Sequence, residues 1–126
     1  VTFICNDPTR VANSFDFMPV LVNEMNKLGI PDENMQIVFS LGTHRLMTKE
    51  EMAEGVGEEV ARRIKMFNSD ANVPEDFEYF GTTSRFTPVL IHKKICHSDA
   101  KPYFRAAPPW KQCVIIIVLC WIPTAG

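Results

Sequence analysis

No acidic residue follows Asp99, although fifteen lie at or before it in a chain of 126 residues. No stretch approaches the roughly 20 apolar residues that a membrane-spanning helix needs. The nearest is "CVIIIVLCWI" at residues 113–122, with Pro102, Pro108, Pro109 and Pro123 around it. The four cysteines (Cys5, Cys96, Cys113, Cys120) include no Cys-x-x-Cys pair. Neither a zinc site nor a disulfide framework is signalled, and a reduced, cytoplasmic protein is expected. With six glycines the chain holds neither a P-loop nor Gly-x-Gly-x-x-Gly, so a glycine cradle for phosphates has little support in the sequence. There is no basic excess: the net charge of −2 and pI near 5.9 lack the footprint of a nucleic-acid partner. No basic-plus-apolar leader precedes the first strand-like residues, and no Met opens the chain, as expected of a segment that starts inside a longer protein.

What is present is ordinary globular material, 46% apolar and 22% charged. The composition divides near residue 99, giving an α/β unit over 1–99 and a divergent apolar tail over 100–126. Val114–Leu119, β-branched and uncharged, is the expected self-association segment of that tail. Over the first 65 residues strand and helix signals alternate. Val1–Cys5 and Met35–Phe39 are short apolar runs that read as buried strands. Between them Leu21, Val22, Met25 and Leu28 form one apolar helical face. Pro19 suits a first turn and Gly29 a C′ stop. Thr48 and Glu51 have the spacing of a capping box. The helix they open is expected over about 49–65, interrupted near Gly55 and Gly57, with Glu58/Arg62 and Glu59/Arg63 as i,i+4 pairs. Met66-Phe67, "FEYFGTT" and "TPVLIHKKI" read as further strands.

Short strand–helix–strand connections imply parallel strands. The predicted fold class is therefore α/β, a Rossmann-like, mostly parallel sheet flanked by helices, as an incomplete domain. Loops that follow parallel strands open on one edge, so "NDPTR" (6–10) and "GTHR" (42–45) should face one crevice. Asp7, Thr9, Arg10, His44 and Arg45 are the candidate site. Arginine grips a carboxylate or phosphate with a planar fork, and histidine, with an ordinary pKa of about 6.5, exchanges protons near neutrality. That pairing suits a 2-hydroxy acid or a phosphate ester. The same residues also admit a structural use, in which Asp7 caps a turn, Arg10 pairs with it and His44 satisfies backbone carbonyls. His92 is expected on a solvated strand face and His97 in a plain loop. Asn68 and Asp70 are assigned to a turn, and "GTT" (81–83) either opens on the crevice or turns the chain.

The segments "DPTR", "NEMNKLGI", "SLGTHRLMTKEEM", "GEEVARRI", "FNSD" and "FGTTSRFTPVLIHKKI", in that order, resemble the N-terminal catalytic domain of the nickel-dependent lactate racemase family over roughly residues 1–99. The resemblance implies an isomerase of small 2-hydroxy acids and a nickel pincer nucleotide that accepts a hydride from the substrate. It makes His44 the general acid/base and Asp7, Thr9 and Arg10 the cofactor-contacting loop. Arg10 and Arg45 become the substrate-binding arginines, Arg45 also orienting the loop. The sequence departs from the family pattern at Ser69, where the family has His, and at Phe86, where it has Gly. The family's second catalytic His, cofactor-attaching Lys and nickel-ligating His have no counterpart in Ala100–Gly126, an ending that resembles a shifted reading frame. This chain is accordingly expected to be incomplete and inactive by itself. The alternatives are a non-catalytic Rossmann-like anion- or nucleotide-binding module and an inactive truncated product.

Overall fold

The structure, a computed structural model, describes residues 1–10 and 12–96 and the backbone of 101–103 and 118–120. Three parallel strands form its centre: β1 (Thr2–Asn6), β2 (Gln36–Ser40) and β3 (Lys65–Ser69), in the order β3-β2-β1. The register sets Asn6 against Ser40 and Ser40 against Ser69, so the three strands end level on one edge. The backbone segments β6 (Lys101–Tyr103) and β7 (Val118–Cys120) extend the sheet beyond β1, with β7 antiparallel to it. The rest of the apolar run, and with it the expected self-association, lies outside the described residues.

Side chains alternate across a strand, which divides the sheet into two faces. Phe3, Cys5, Ile37 and Phe39 take one face and pack with Met18, Val22, Met52, Val56 and Val60 from α1 (Ser14–Lys27), α2 (Lys49–Val56) and α3 (Glu58–Arg63). On the opposite face Lys94, in α4 (Lys93–Cys96), places its ammonium 4.0 Å from the Phe67 ring, while Gln36 Nε2 donates to the Lys94 carbonyl at 2.8 Å. The α/β expectation holds, with helices on both faces of a sheet whose three central strands are parallel.

The helix ends follow the local chemistry. At the end of α1, Gly29 N–H donates to the Asn26 carbonyl and Ile30 N–H to that of Met25, a Schellman closure. The expected capping box forms in full, Glu51 N–H donating to Thr48 Oγ1 and Thr48 N–H to Glu51. The two i,i+4 pairs form as well, Arg63 on Glu59 at 3.1 Å and Arg62 on Glu58 at 3.9 Å. Gly57 is the break between α2 and α3: its φ of +90° disfavours any other residue, and a Cβ there would stand 3.5 Å from the Phe15 carbonyl oxygen. That carbonyl is the one that Pro19, four residues on and without an N–H, cannot satisfy inside α1.

Several expectations are corrected. Helix α1 begins at Ser14, so Pro19 lies within it and not in its first turn. Strand β3 is longer than Met66-Phe67, because the parallel pairing with β2 carries it from Lys65 to Ser69. "FEYFGTT" and "TPVLIHKKI" do hold the two further strands expected of them, apart from the main sheet. They form a separate antiparallel hairpin, β4 (Phe77–Thr82) with β5 (Pro88–His92), and "KKI" turns into α4. His92 is not on a solvated face: it is buried, its Nδ1 accepts from Lys94 N–H, and its ring meets Phe77 edge-on at 5.4 Å. Burial lowers its pKa. Of "GTT", Gly81 and Thr82 end β4 and Thr83 opens the hairpin turn, Thr83 N–H donating to the Thr87 carbonyl and Phe86 N–H to that of Thr83. In that turn Phe86 has φ +60° and is 90% exposed.

Candidate functional site

The level strand ends put three loops on one edge of the sheet. After β1, Asp7 is 8% exposed, and its carboxylate accepts from Thr9 N–H at 2.8 Å and from Thr9 Oγ1. Arg10 N–H donates to the Asp7 carbonyl, closing the turn. Burial works against the Asp7 carboxylate, but both Thr9 hydrogen bonds and the charges of His44 and Arg10 outweigh it and hold the pKa below the ordinary value. Asp7 is therefore a permanent negative charge in the neutral range. Among the described residues the Arg10 side chain makes no ion pair; it is exposed beside this turn.

After β2, Gly42 turns the chain at φ +59°, and His44 N–H donates to the Leu41 carbonyl at 3.0 Å. His44 Nδ1 then stands 3.9 Å from Asp7 Oδ1, with the His44 side chain half exposed. Two loops separated by more than thirty residues thus present an acid, a histidine and an arginine together. Arg45, next in sequence, turns elsewhere. Its guanidinium grips both carboxylate oxygens of Glu51, Nη1 at 2.8 Å, and Nη1 also reaches the Leu46 carbonyl. Arg45 raises the number of bonds on Glu51 so far that the Glu51 pKa falls to about 2.

Beside this edge lies a cleft of about 300 Å³ between the β1 loop, the start of α1 and the flank of α2. Asp7 and Arg10 line it together with Ser14, Phe15, Glu51 and Glu54; Thr9, His44 and Arg45 do not. Glu51, Glu54 and Asn68 are additions to the set read from sequence. Glu51 was visible as a capping residue, but nothing in its spacing signals that it also holds Arg45. Asn68 lies within β3, and its side chain pairs with the backbone of Met47 in the His44 loop. Asp70 does make the expected turn, accepting from Asn72 N–H and Nδ2.

Among the described residues, the two cysteines stand apart from this edge. Cys5 is buried in the core, and burial pushes its thiol up to about 12. Cys96 lies against the His92 carbonyl and Glu78, and burial raises its pKa too. His97 lies outside the described residues. Among the described residues no three His, Cys, Asp or Glu side chains gather where they could hold a metal ion. No described helix is long and apolar enough to cross a membrane.

Comparison with known proteins agrees with this architecture. A lactate racemase from Thermoanaerobacterium thermosaccharolyticum is 27% identical over 99 residues, which are 79% of this chain and 23% of that protein. The structure of the lactate racemase apoprotein from the same organism aligns with a TM-score of 0.68 at 25% identity, covering 82% of this chain and 26% of the other. The chain thus spans about a quarter of the length of the relatives it matches. Residues 1–103 match the family of lactate racemase N-terminal domains, four residues past the change in composition at 99. On that match, with its parallel sheet and the two loops that converge at Asp7 and His44, the chain belongs to the lactate racemase N-terminal domain family.

Proposed function

We propose that this domain supplies the anion grip and the proton transfer of an enzyme that inverts the configuration of a 2-hydroxy acid, lactate being the first substrate to test. The observation that carries the reading is the 3.9 Å approach of His44 Nδ1 to Asp7 Oδ1, in the turn that also bears the exposed Arg10. Arg10 offers two parallel N–H groups to the substrate carboxylate. With Nδ1 turned toward Asp7, Nε2 of His44 is left to take the proton of the 2-hydroxyl and later return it. The permanent charge of Asp7 orients the ring and steadies the imidazolium that forms. Arg45, bound to Glu51, acts on the loop and not on the anion.

Inversion at the α-carbon also needs a hydride acceptor, which the family resemblance gives as a nickel pincer nucleotide. Among the described residues no donor set suits its metal. They fit an anionic group beside Arg10 instead, and this domain's own share is the carboxylate and the proton.

Titration of the chain with L-lactate, followed by amide and imidazole NMR signals, tests the grip. Shifts confined to residues 6–10 and 42–46, abolished in Arg10→Ala, are expected; no shift at any of them overturns it. Proton transfer is tested in a chimaera whose first quarter, taken from a lactate racemase, is replaced by residues 1–99. There His44→Ala should slow D-lactate formation by about 10²-fold or more. Undiminished turnover in that variant, with lactate still bound through Arg10, would leave a non-catalytic anion-binding module.

A further inference from the structure

The residues from Gly42 to Leu46 that carry His44 are all exposed, between two buried apolar anchors, Leu41 and Met47. Packing therefore fixes the ends of this loop but not its middle. Two polar devices act at its C-terminal end. One is local: Glu51 takes Thr48 N–H at 2.9 Å and the Arg45 guanidinium, tying the loop to the first turn of α2. The other comes from a different strand. Asn68 Nδ2 donates to the Met47 carbonyl at 2.9 Å while Asn68 Oδ1 accepts from Met47 N–H at 3.4 Å. The side-chain amide thus uses both backbone groups of one residue, as a neighbouring strand would, at a point where β2 has already ended.

We propose that Asn68 is a positioning residue, clipping the His44 loop to β3 so that His44 stays across from Asp7. Asn68 sits one residue before the level strand end, in register with Phe39 of β2. From there it reaches the backbone three residues after His44. It touches neither Asp7 nor Arg10, so the anion grip is independent of it. The proposal rests on the role given above to His44, and its own geometry can be tested without any turnover.

The test compares the full chain with Asn68→Ala and with Asn68→Asp, which keeps the size and the acceptor but cannot donate to the Met47 carbonyl. Hydrogen exchange at the His44 amide should speed up by about fivefold or more in both variants, and at the Met47 amide in Asn68→Ala, which alone loses the acceptor of the Met47 N–H, with β1 and β2 amides unchanged. L-lactate should still shift the residue 6–10 signals at an unchanged midpoint, while its effect on the His44 ring is lost. Exchange and lactate response identical to the parent chain in Asn68→Asp overturn the clip. So does exchange that quickens uniformly across the sheet, which marks a purely structural residue. If lactate moves no signal in the parent chain, the proposed function fails instead, and the exchange data alone judge Asn68.

Discussion

Asp7 and His44 lie at the ends of adjacent parallel strands with 3.9 Å between carboxylate and imidazole. The relationship follows from register and a turn: Asn6 opposite Ser40 puts the two following loops on one edge, and the turn at Gly42 sets His44 beside Asp7. Whatever moves that register, or the turn at Gly42, moves the pair.

Asp7 has a lowered pKa in the folded chain, so it is less protonated there than when unfolded near 3.9. Its stabilisation is complete above the unfolded value and is lost as pH falls through the folded one. Asp7→Asn should therefore weaken the pH dependence of stability below about pH 4. Urea unfolding at pH 3 and pH 7 checks this; an unchanged difference between the two pH values counts against it.

Arg63 spends all its N–H groups on one junction. It donates to both oxygens of Asp32, to Asn26, to Asn23 and to Glu59, joining α3 to α1 and to the turn before β2. The Arg63 bonds to Asp32, together with one donated by Asn26 Nδ2, lower the Asp32 pKa to about 2. Stability from this pair is full above about pH 4 and disappears as pH falls through 2. Arg63→Lys keeps the charge but not the fork, so it should lower the melting temperature nearly as much as Arg63→Ala. A lysine variant that melts with the parent chain would contradict that.

Phe86 holds a left-handed conformation, φ +60°, while 90% exposed, so its side chain returns little packing for the strain. Phe86→Gly should stabilise the chain by about 0.5–1 kcal/mol, the relief of strain less the added entropy of the unfolded glycine. Phe86→Val should destabilise it. Thermal melts of the two variants, moving in opposite directions, are the check.

The Cys5 thiol, buried in the core and raised to about 12, should resist alkylation in the native chain. Peptide mapping after iodoacetamide is expected to find Cys5 unmodified without denaturant and modified with it. Rapid native labelling would mean that β1 is more open than its packing indicates.

Much of this molecule is written locally. Alternating strand and helix signals in the first 65 residues imply parallel crossover units, and that topology alone puts residues 6–10 and 42–45 on one edge. The Thr48–Glu51 box, the Gly29 stop and the Glu59–Arg63 pair are set by neighbours three or four positions apart, which is why spacing reveals them. The family motifs carry further, over the same stretch. Tertiary structure decided the rest: that Arg45 turns to Glu51, that "KKI" coils into a helix, that His92 is buried, and that Asn68 reaches across to Met47. The burial of His92 against Phe77 and the reach of Asn68 to Met47 depend on where a distant segment comes to rest. A side chain chooses among its rotamers by the partners that packing brings within reach, and residues far apart in the chain meet only once the sheet has formed.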